Sequence, residues 1–390
     1  MDFTFTEEQR MMATAVRELL DDVAAPAVLR AAAGAPELAE GPAAGGDDPA
    51  RWERLVELGL PGMLAPEAAG GMGLADIDFV LVAEEAGRAA LPENLVEHAG
   101  IAVPLLAACS APLAQEWLVR AAFGEVRLAV GHPLNATVLG AAAADALVLF
   151  HGDEVHLVER KAVTLHRQAS VDRLRSLATV EWTPTKATLI ASALEGAALR
   201  ELAFARGAVV NAAQALGLAE RMVRIAVDYA STRQQFGKAI GSYQALKHHM
   251  ADVQVQLEYA RPVVYAAAAR LAEFAAGVSG DDGTSSAVGE AGTYGNASAS
   301  TGALLARLNA AVSGAKLMAM EAAEMAGRKG IQLHGAMGYS WEVDLHFYVK
   351  RAWALAGSWG DRCWHQRRLE ALVLDGVVAD DLAVLHHEHG

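Results

Sequence analysis

Residues 229–252 read YASTRQQFGKAIGSYQALKHHMAD. Arg233 stands three residues before Phe236, and Gly237, an Ile240-Gly241 pair and a Tyr243-Gln244 pair follow. The flanking residues carry helical patterns, so the stretch places a guanidinium and a flat apolar ring at a helix–helix corner. That combination suits a phosphate with a planar ring nearby, because the guanidinium presents a fork of donors matched to phosphate oxygens. A second stretch, GIQLHGAMGYSWE at 330–342, has small residues at Gly335, Ala336 and Gly338 that let backbone approach a ligand, and Gln332 offers a polar contact. Taken singly, the first also reads as a surface turn and the second as a tight interhelical loop.

Working outward, Leu246, Met250, Val253, Leu257, Ala260 and Val264 recur at alternating spacings of four and three, as do Leu304, Leu308, Ala311, Ala315, Met318, Ala322 and Met325. Such seams predict long antiparallel helices crossing at about 20° in a bundle. Between them, residues 277–300 (GVSGDDGTSSAVGEAGTYGNASAS) read as a mobile linker. Near the start, Phe5, Met12, Val16, Leu19, Leu20 and Val23 form a helical stripe, with Thr6 as N-cap and Glu7 and Glu8 in the first turn. Residues 31–50 are rich in Ala, Gly and Pro without periodicity and predict a long mobile loop. A helix from near Arg51 to the Gly-Leu-Pro-Gly of 59–62, a glycine-rich turn PEAAGGMGL at 66–74, and a helix from Asp76 to Arg88 follow. Glu84, Glu85 and Glu220 are expected on solvated helix faces.

The texture changes between residues 123 and 189. Arg127–Gly131, Ala146–Phe150, Val155–Glu159, Ala162–Leu165 and Ala178–Trp182 are short Val- and Leu-rich runs, and Gly152-Asp153 joins the second and third as a hairpin. From residue 190 the helical pattern returns. The expected fold is mainly α with a small β domain: a helical domain over 1–122, a β domain over 123–189 and a helical bundle over 190–390.

The 390 residues are 53% hydrophobic, which excludes a disordered chain. With 32 Lys and Arg against 47 Asp and Glu, the net charge of −15 opposes nucleic-acid binding, which needs a basic face. No 18-residue stretch lacks a charge or a breaker, so no membrane span is expected. The acidic, polar start MDFTFTEEQR predicts no leader and a cytoplasmic location. Cys109 and Cys363 suggest neither a disulfide framework nor a zinc site. The adjacent His248-His249 point apart, and the terminal HHEH at 386–389 lies in a tail, so no metal is expected.

Five features in one order, Phe5-Thr6-Glu7-Glu8-Gln9, PEAAGGMGL, Glu84-Glu85-Ala86-Gly87-Arg88, RQQFGKAIGSYQ and QLHGAMGY, make almost the whole chain resemble the acyl-CoA dehydrogenase family. The resemblance implies an N-terminal helical domain, a middle β-barrel-like domain and a C-terminal four-helix bundle. It also implies FAD as cofactor and oxidation of an acyl-CoA substrate between its α and β carbons. In the family, the Arg-x-x-Phe-Gly and glycine-loop segments of one subunit hold the adenosine diphosphate end of a neighbour's FAD. Carried over, Arg233 pairs with the pyrophosphate and Phe236 packs near the adenine-ribose half. Gln235, Ile240 and Tyr243 line that groove, and Gln332, Leu333, His334, Gly335 and Ala336 approach the pyrophosphate and ribose.

The same resemblance exposes a gap. The family's commonest base is a Glu twenty residues after the tyrosine that ends the glycine loop, and counting from Tyr339 gives Trp359. An indole accepts no proton. The alternative base position, 26 residues before the FAD-contacting arginine, is Gly207. The segment that meets CoA is here Phe204-Ala205-Arg206-Gly207-Ala208, with Arg206 two residues early. Asp361, two residues past Trp359, would be turned by about 200° on a helix. These absences suggest the base-less subunit of a heteromeric, α2β2-type acyl-CoA dehydrogenase, resembling actinobacterial pairs that act on steroid side-chain CoA esters. A paralogous partner then supplies the catalytic Glu. The alternatives are an autonomous homotetramer with a shifted base and a non-catalytic scaffold.

Overall fold

The structure, a computed structural model, describes residues 5–34, 46–279 and 294–374. The N-terminal part is helical: α1 (Glu7–Val23), α2 (Pro26–Ala33), α3 (Pro49–Glu57), α4 (Asp76–Ala89), α5 (Leu95–Glu97), α6 (Val103–Ala107) and α7 (Pro112–Ala122). Thr6 caps α1 as expected, its hydroxyl accepting from Gln9 N while the Gln9 side chain reaches back to Thr6 N, a reciprocal capping box. A π turn, His98–Ala102, joins α5 to α6. The loop expected over 31–50 is shorter than its composition suggested. Pro26 at the first helical position starts α2, which runs to Ala33, and α3 begins at Pro49. The rest of that expectation, residues 35–45, lies outside the described residues.

The middle part is two small sheets. One has the order β1 (Leu128–Gly131), β3 (Ala146–His151), β4 (Glu154–Glu159), β7 (Leu189–Ala191), and the other β2 (Val138–Leu139), β6 (Leu177–Glu181), β5 (Thr164–Gln168). β3 and β4 form the expected hairpin, with Phe150 opposite Val155. Alternation along the strands divides their side chains between two cores. Ala129, Leu147, Leu149 and Val158 face a local cluster with Val138 and Ala178. Leu128, Val130, Val148, Phe150, Val155 and Leu157 face the main core shared with the helices. The expected run Ala162–Leu165 is displaced, because a 3-10 turn at Arg160–Ala162 delays β5 to Thr164.

The C-terminal part is a bundle of α8 (Ala193–Thr232), α9 (Gln244–Ser279) and α10 (Tyr294–His334), completed by the shorter α11 (Leu345–Ala356) and α12 (Arg362–Leu374). A hairpin of β8 (Gln234–Gln235) and β9 (Lys238–Ala239) interrupts the turn from α8 to α9. The seam expected on α9 is inward, with Val253, Leu257, Ala260 and Val264 fully buried. On α10 the seam is rotated: Leu304 is 54% exposed, and Leu308, Val312, Ala315, Ala319 and Ala326 are the buried stripe. A 3.6-residue helix drifts against a 3.5-residue reading, which explains that shift over several turns. The linker expected at 277–300 is bounded by α9 and α10, and residues 280–293 lie outside the described ones. The terminal 386–389 cluster does too.

By length and composition α8 could cross a membrane, yet its apolar window is wholly buried inside the protein. Glu84 and Glu85 correct the sequence expectation: they are 7% and 5% exposed, and Glu220 is partly buried. Each has partners that sequence spacing did not reveal. Arg261 of α9 bonds Glu84 (3.3 Å) and Glu220, Tyr265 donates to Glu84 (2.6 Å), and Arg17 and Arg88 hold Glu85 (both 2.6 Å). Burial pushes the Glu84 carboxyl up to about 7, against the opposing pull of Arg261 and Tyr265. Buried Arg351 bonds Asp172 and the carbonyls of Leu91 (2.9 Å) and Ala90 (3.4 Å), tying α11 to the strand region and the N-terminal helices.

Candidate functional site

Two clusters carry the residues of interest. The first is at the open end of the bundle. Helix α8 ends at Thr232, and Arg233 leaves it with extended backbone (φ −70°, ψ 125°). The hairpin pairs Gln234 with Ala239 and Gln235 with Lys238, and Ile240 N donates to Arg233 O at 2.8 Å to close it. Its two-residue turn is Phe236-Gly237, both left-handed, at φ 52° and 79°. This is the geometry of a tight hairpin turn, but a Phe there is strained, and its ring is 91% exposed. Arg233 and Gln235 are exposed as well, while Ile240 and Tyr243 are half-buried, and the Lys238 ammonium sits over the Tyr243 ring at 4.2 Å.

The glycine turn lies against the same corner. Tyr229 of α8 stacks on His334 of α10 at 4.2 Å, and Leu333 packs with Ala226 and Ala230 in a cluster that Ile240 and Leu246 join. The two stretches separated by about a hundred residues are thus pinned together. Gln332, Gly335 and Ala336 are exposed, and Gly335 needs its glycine for φ 64°, with nothing within 4 Å of a Cβ placed there. Leu333 is only 8% exposed and anchors rather than lines the groove. Gly338 is also structural, since a Cβ would sit 2.9 Å from the Ile331 backbone. His334 Nδ1 donates to Gly330 O at 2.8 Å, which leaves Nε2 as an acceptor, and that atom is buried with no partner. An exposed guanidinium, a glycine with open space and an orphaned acceptor fit a phosphate with hydroxyls beside it.

The second cluster is closed. Trp359 is 3% exposed, with a left-handed backbone at φ 57°. Its N–H donates to Asn135 Oδ1 at 2.7 Å, and its carbonyl accepts from His365 Nε2 at 2.9 Å. The indole lies directly on Gly207, where an added Cβ would stand 2.2 Å from the ring. The two positions at which the resemblance would place a base are therefore neighbours in space. One is filled by an indole, and the other is reduced to hydrogen to admit it. His132 packs on Trp359 (5.3 Å), and Phe204 is stacked among His132, Trp364 and His365.

No base emerges from that wall. Burial holds His132 and His365 near pKa 4, and their hydrogen bonds fix the neutral tautomers. His132 Nδ1 accepts from Leu134 N and Nε2 donates to Arg200 O, while His365 Nδ1 accepts from Ser313 Oγ. Asp361 is exposed and caps α12 by accepting from Trp364 N at 2.8 Å. Arg206 is consumed in a buried two-pronged pair with Asp76 (2.9 and 3.2 Å).

Lys316, Asn135, Glu97 and Arg175 are site residues that sequence reasoning missed. Fully buried Lys316 donates to Asn211, to Leu355 O and to Ser358 O (2.9 Å each for the last two), so it caps α11 and fixes the backbone entering Trp359. Burial pushes its pKa well below the ordinary lysine value. Its signal, a lone Lys inside an apolar seam, was visible in the sequence. Glu97 and Arg175 line a cavity of about 340 Å³ beside Trp359, together with Asn135, Thr137 and Ser170. Among the described residues no group of His, Cys, Asp and Glu is arranged to hold a metal, and His249 faces Lys329 at 2.8 Å.

Comparison with known proteins gives the family. The acyl-CoA dehydrogenase N-terminal domain matches residues 6–125, and the acyl-CoA dehydrogenase C-terminal domain matches residues 195–280. The chain belongs to the acyl-CoA dehydrogenase family, FAD-dependent oxidoreductases acting on the CH–CH group of CoA thioesters. It is 31% identical over 347 residues to the acyl-CoA dehydrogenase IpdE2 of Mycobacterium tuberculosis, covering 89% of this chain and 91% of that protein. The structure superimposes on a chain of the ChsE4-ChsE5 complex from Mycobacterium tuberculosis with a TM-score of 0.75 and 23% identity, over 96% of this chain and 99% of that one. For the Tcur3481-Tcur3483 steroid ACAD the TM-score is 0.72 at 22% identity, over 95% and 99%. These two likenesses show the fold, that of the acyl-CoA dehydrogenases: helical, β and helical in that order.

Proposed function

We propose that this chain is the base-less subunit of a heteromeric acyl-CoA dehydrogenase, built as a helical part over 1–122, a β part over 123–189 and a bundle over 190–390. It contributes the half-site for the adenosine diphosphate end of FAD, and a paralogous partner contributes the carboxylate that takes the α proton. The carrying observation is Trp359 packed on Gly207, which leaves an indole where a carboxylate would stand. Arg233 meets the pyrophosphate, Phe236 lies against the adenine-ribose half, and Gln235, Ile240 and Tyr243 complete that wall. Gln332, the Gly335-Ala336 backbone and the free Nε2 of His334 meet the ribose and phosphate oxygens, with Leu333 holding them in place. When bound, FAD supplies the acceptor for the hydride leaving the β carbon. The strained, exposed Phe236 is otherwise a cost without a return in a lone chain.

A CoA thioester is the substrate class, and a steroid side-chain ester is the member we favour. Two fold relatives support the reading: the ChsE4-ChsE5 complex is a complex of two different chains, which bears on the partner, and Tcur3481-Tcur3483 is a steroid ACAD, which bears on the substrate. The test is turnover of the complex with this chain altered. Asp361→Asn leaves the rate unchanged, because Asn also caps α12, and replacing the partner's carboxylate abolishes it. The cavity beside Trp359 has one carboxylate, Glu97. Turnover by this chain alone that disappears in Glu97→Gln would overturn the reading.

A further inference from the structure

Arg175 stands out among the buried charges. It is 6% exposed and lines the cavity beside Trp359, yet among the described residues no hydrogen bond or ion pair reaches its guanidinium. The carboxylates around it are otherwise placed. Asp172 bonds Arg351, and Glu97, on the cavity wall with Arg175, interacts with it only at longer range. A guanidinium stays charged in any protein and carries five donors, and here none is taken by an acceptor among the described residues, so they are available to a ligand in the cavity. The remaining lining is amphipathic: Thr137 and Ser170 carry hydroxyls, and Val130, Leu177 and Trp359 are apolar. Val171, 57% exposed, marks the rim through which solvent reaches it.

We propose that this cavity is a binding site for a small organic carboxylate, held by its anionic group on Arg175 with its hydrocarbon body against Trp359. The site takes a short-chain acid rather than a nucleotide, because a single cation faces a cavity of about 340 Å³. Glu97 does not defeat the anion. Burial raises its pKa, so it opposes an anion less than a solvated carboxylate would. The inference does not rest on the division of labour proposed above, since it concerns a cavity of this chain whichever subunit carries the base.

Calorimetric titration of the full-length chain with butyrate, 1-butanol and butylammonium at matched ionic strength tests it. Butyrate binds, and the alcohol and the amine bind at least about tenfold more weakly, the discrimination expected of one charged hydrogen-bonded pair. Arg175→Gln removes butyrate binding, whereas Glu97→Gln keeps it. Arg175→Lys, which retains charge but loses the fork, weakens it and decides the matter if the Gln variant does not fold. Equal binding of acid and alcohol, preference for the amine, loss in Glu97→Gln, or undiminished binding in either Arg175 variant would overturn the proposal, as would no binding of butyrate at all.

Discussion

The two ends of the bundle use aromatic side chains in opposite ways. At the open end, Phe236 is held in a left-handed turn with its ring in solvent, and Arg233, three residues before it, is exposed. At the closed end, Trp359 is also left-handed, but its ring is buried on Gly207 and its backbone is bonded on both sides. Left-handed backbone at a bulky residue costs on the order of 1–2 kcal/mol. The closed end recovers that cost through packing within the chain. At the open end Phe236 is 91% exposed and recovers little of that cost among the described residues, whereas the proposed contact with FAD would recover it.

The closed end gives the largest expected effects. Trp359→Ala removes a buried indole and destabilises the chain by about 3–5 kcal/mol. Gly207→Ala costs about 1–3 kcal/mol alone, by driving a methyl into the ring. In the Trp359→Ala background the same change becomes neutral or stabilising, because the clash is gone and alanine favours the helix by up to about 1 kcal/mol. Urea unfolding of the four proteins measures the coupling, and additive effects would show that the two residues are not in contact.

Acid separates the two ends next. His365 has its pKa lowered from 6.5 to about 4 by burial. The unfolded chain therefore takes up a proton at this residue near pH 6.5, and the native chain does so only near 4. Stability from the neutral histidine is present above 6.5 and declines as pH falls through that window. Wild type should lose stability faster than His365→Asn between pH 6.5 and 4. Parallel midpoint curves for the two would contradict a dry, neutral wall.

The β8–β9 hairpin and the arginine that leads into it give the smallest effects on folding. Arg233→Ala weakens FAD retention by the complex by about one to two decades, the loss of a charged hydrogen-bonding partner, and leaves the melting temperature of the chain alone unchanged. Phe236→Gly stabilises the lone chain by about 1 kcal/mol through relief of the left-handed strain, while it weakens the complex. Dialysis followed by flavin absorbance reads the first change, and thermal unfolding reads the second. Unaltered flavin retention in Arg233→Ala would remove Arg233 from the site.

How much of this was legible beforehand depends on the range of the signal. Thr6 with Gln9, the Gly152-Asp153 hairpin and the α9 seam are local patterns, and the structure has them. The order of helical, β and helical parts followed from period alone. Glu84 and Glu85 were misplaced because their partners, Arg261, Tyr265 and Arg17, are far along the chain, and a charged pair on a helix looks solvated until tertiary partners are known. Trp359 and Gly207 were each identified by counting from a motif, yet nothing in the sequence says that they touch. Glu97 and Arg175 lacked any motif, and only the packing of α5 near the strand region reveals them as walls of one cavity.

The most direct test of divided labour is the ratio of FAD to protein in this chain purified alone and purified with its partner. The account predicts little or no flavin in the lone chain, because only the adenosine diphosphate half of a site is present, and stoichiometric flavin with turnover in the complex. Stoichiometric FAD bound by the chain alone, with dehydrogenation of a CoA thioester, would contradict it.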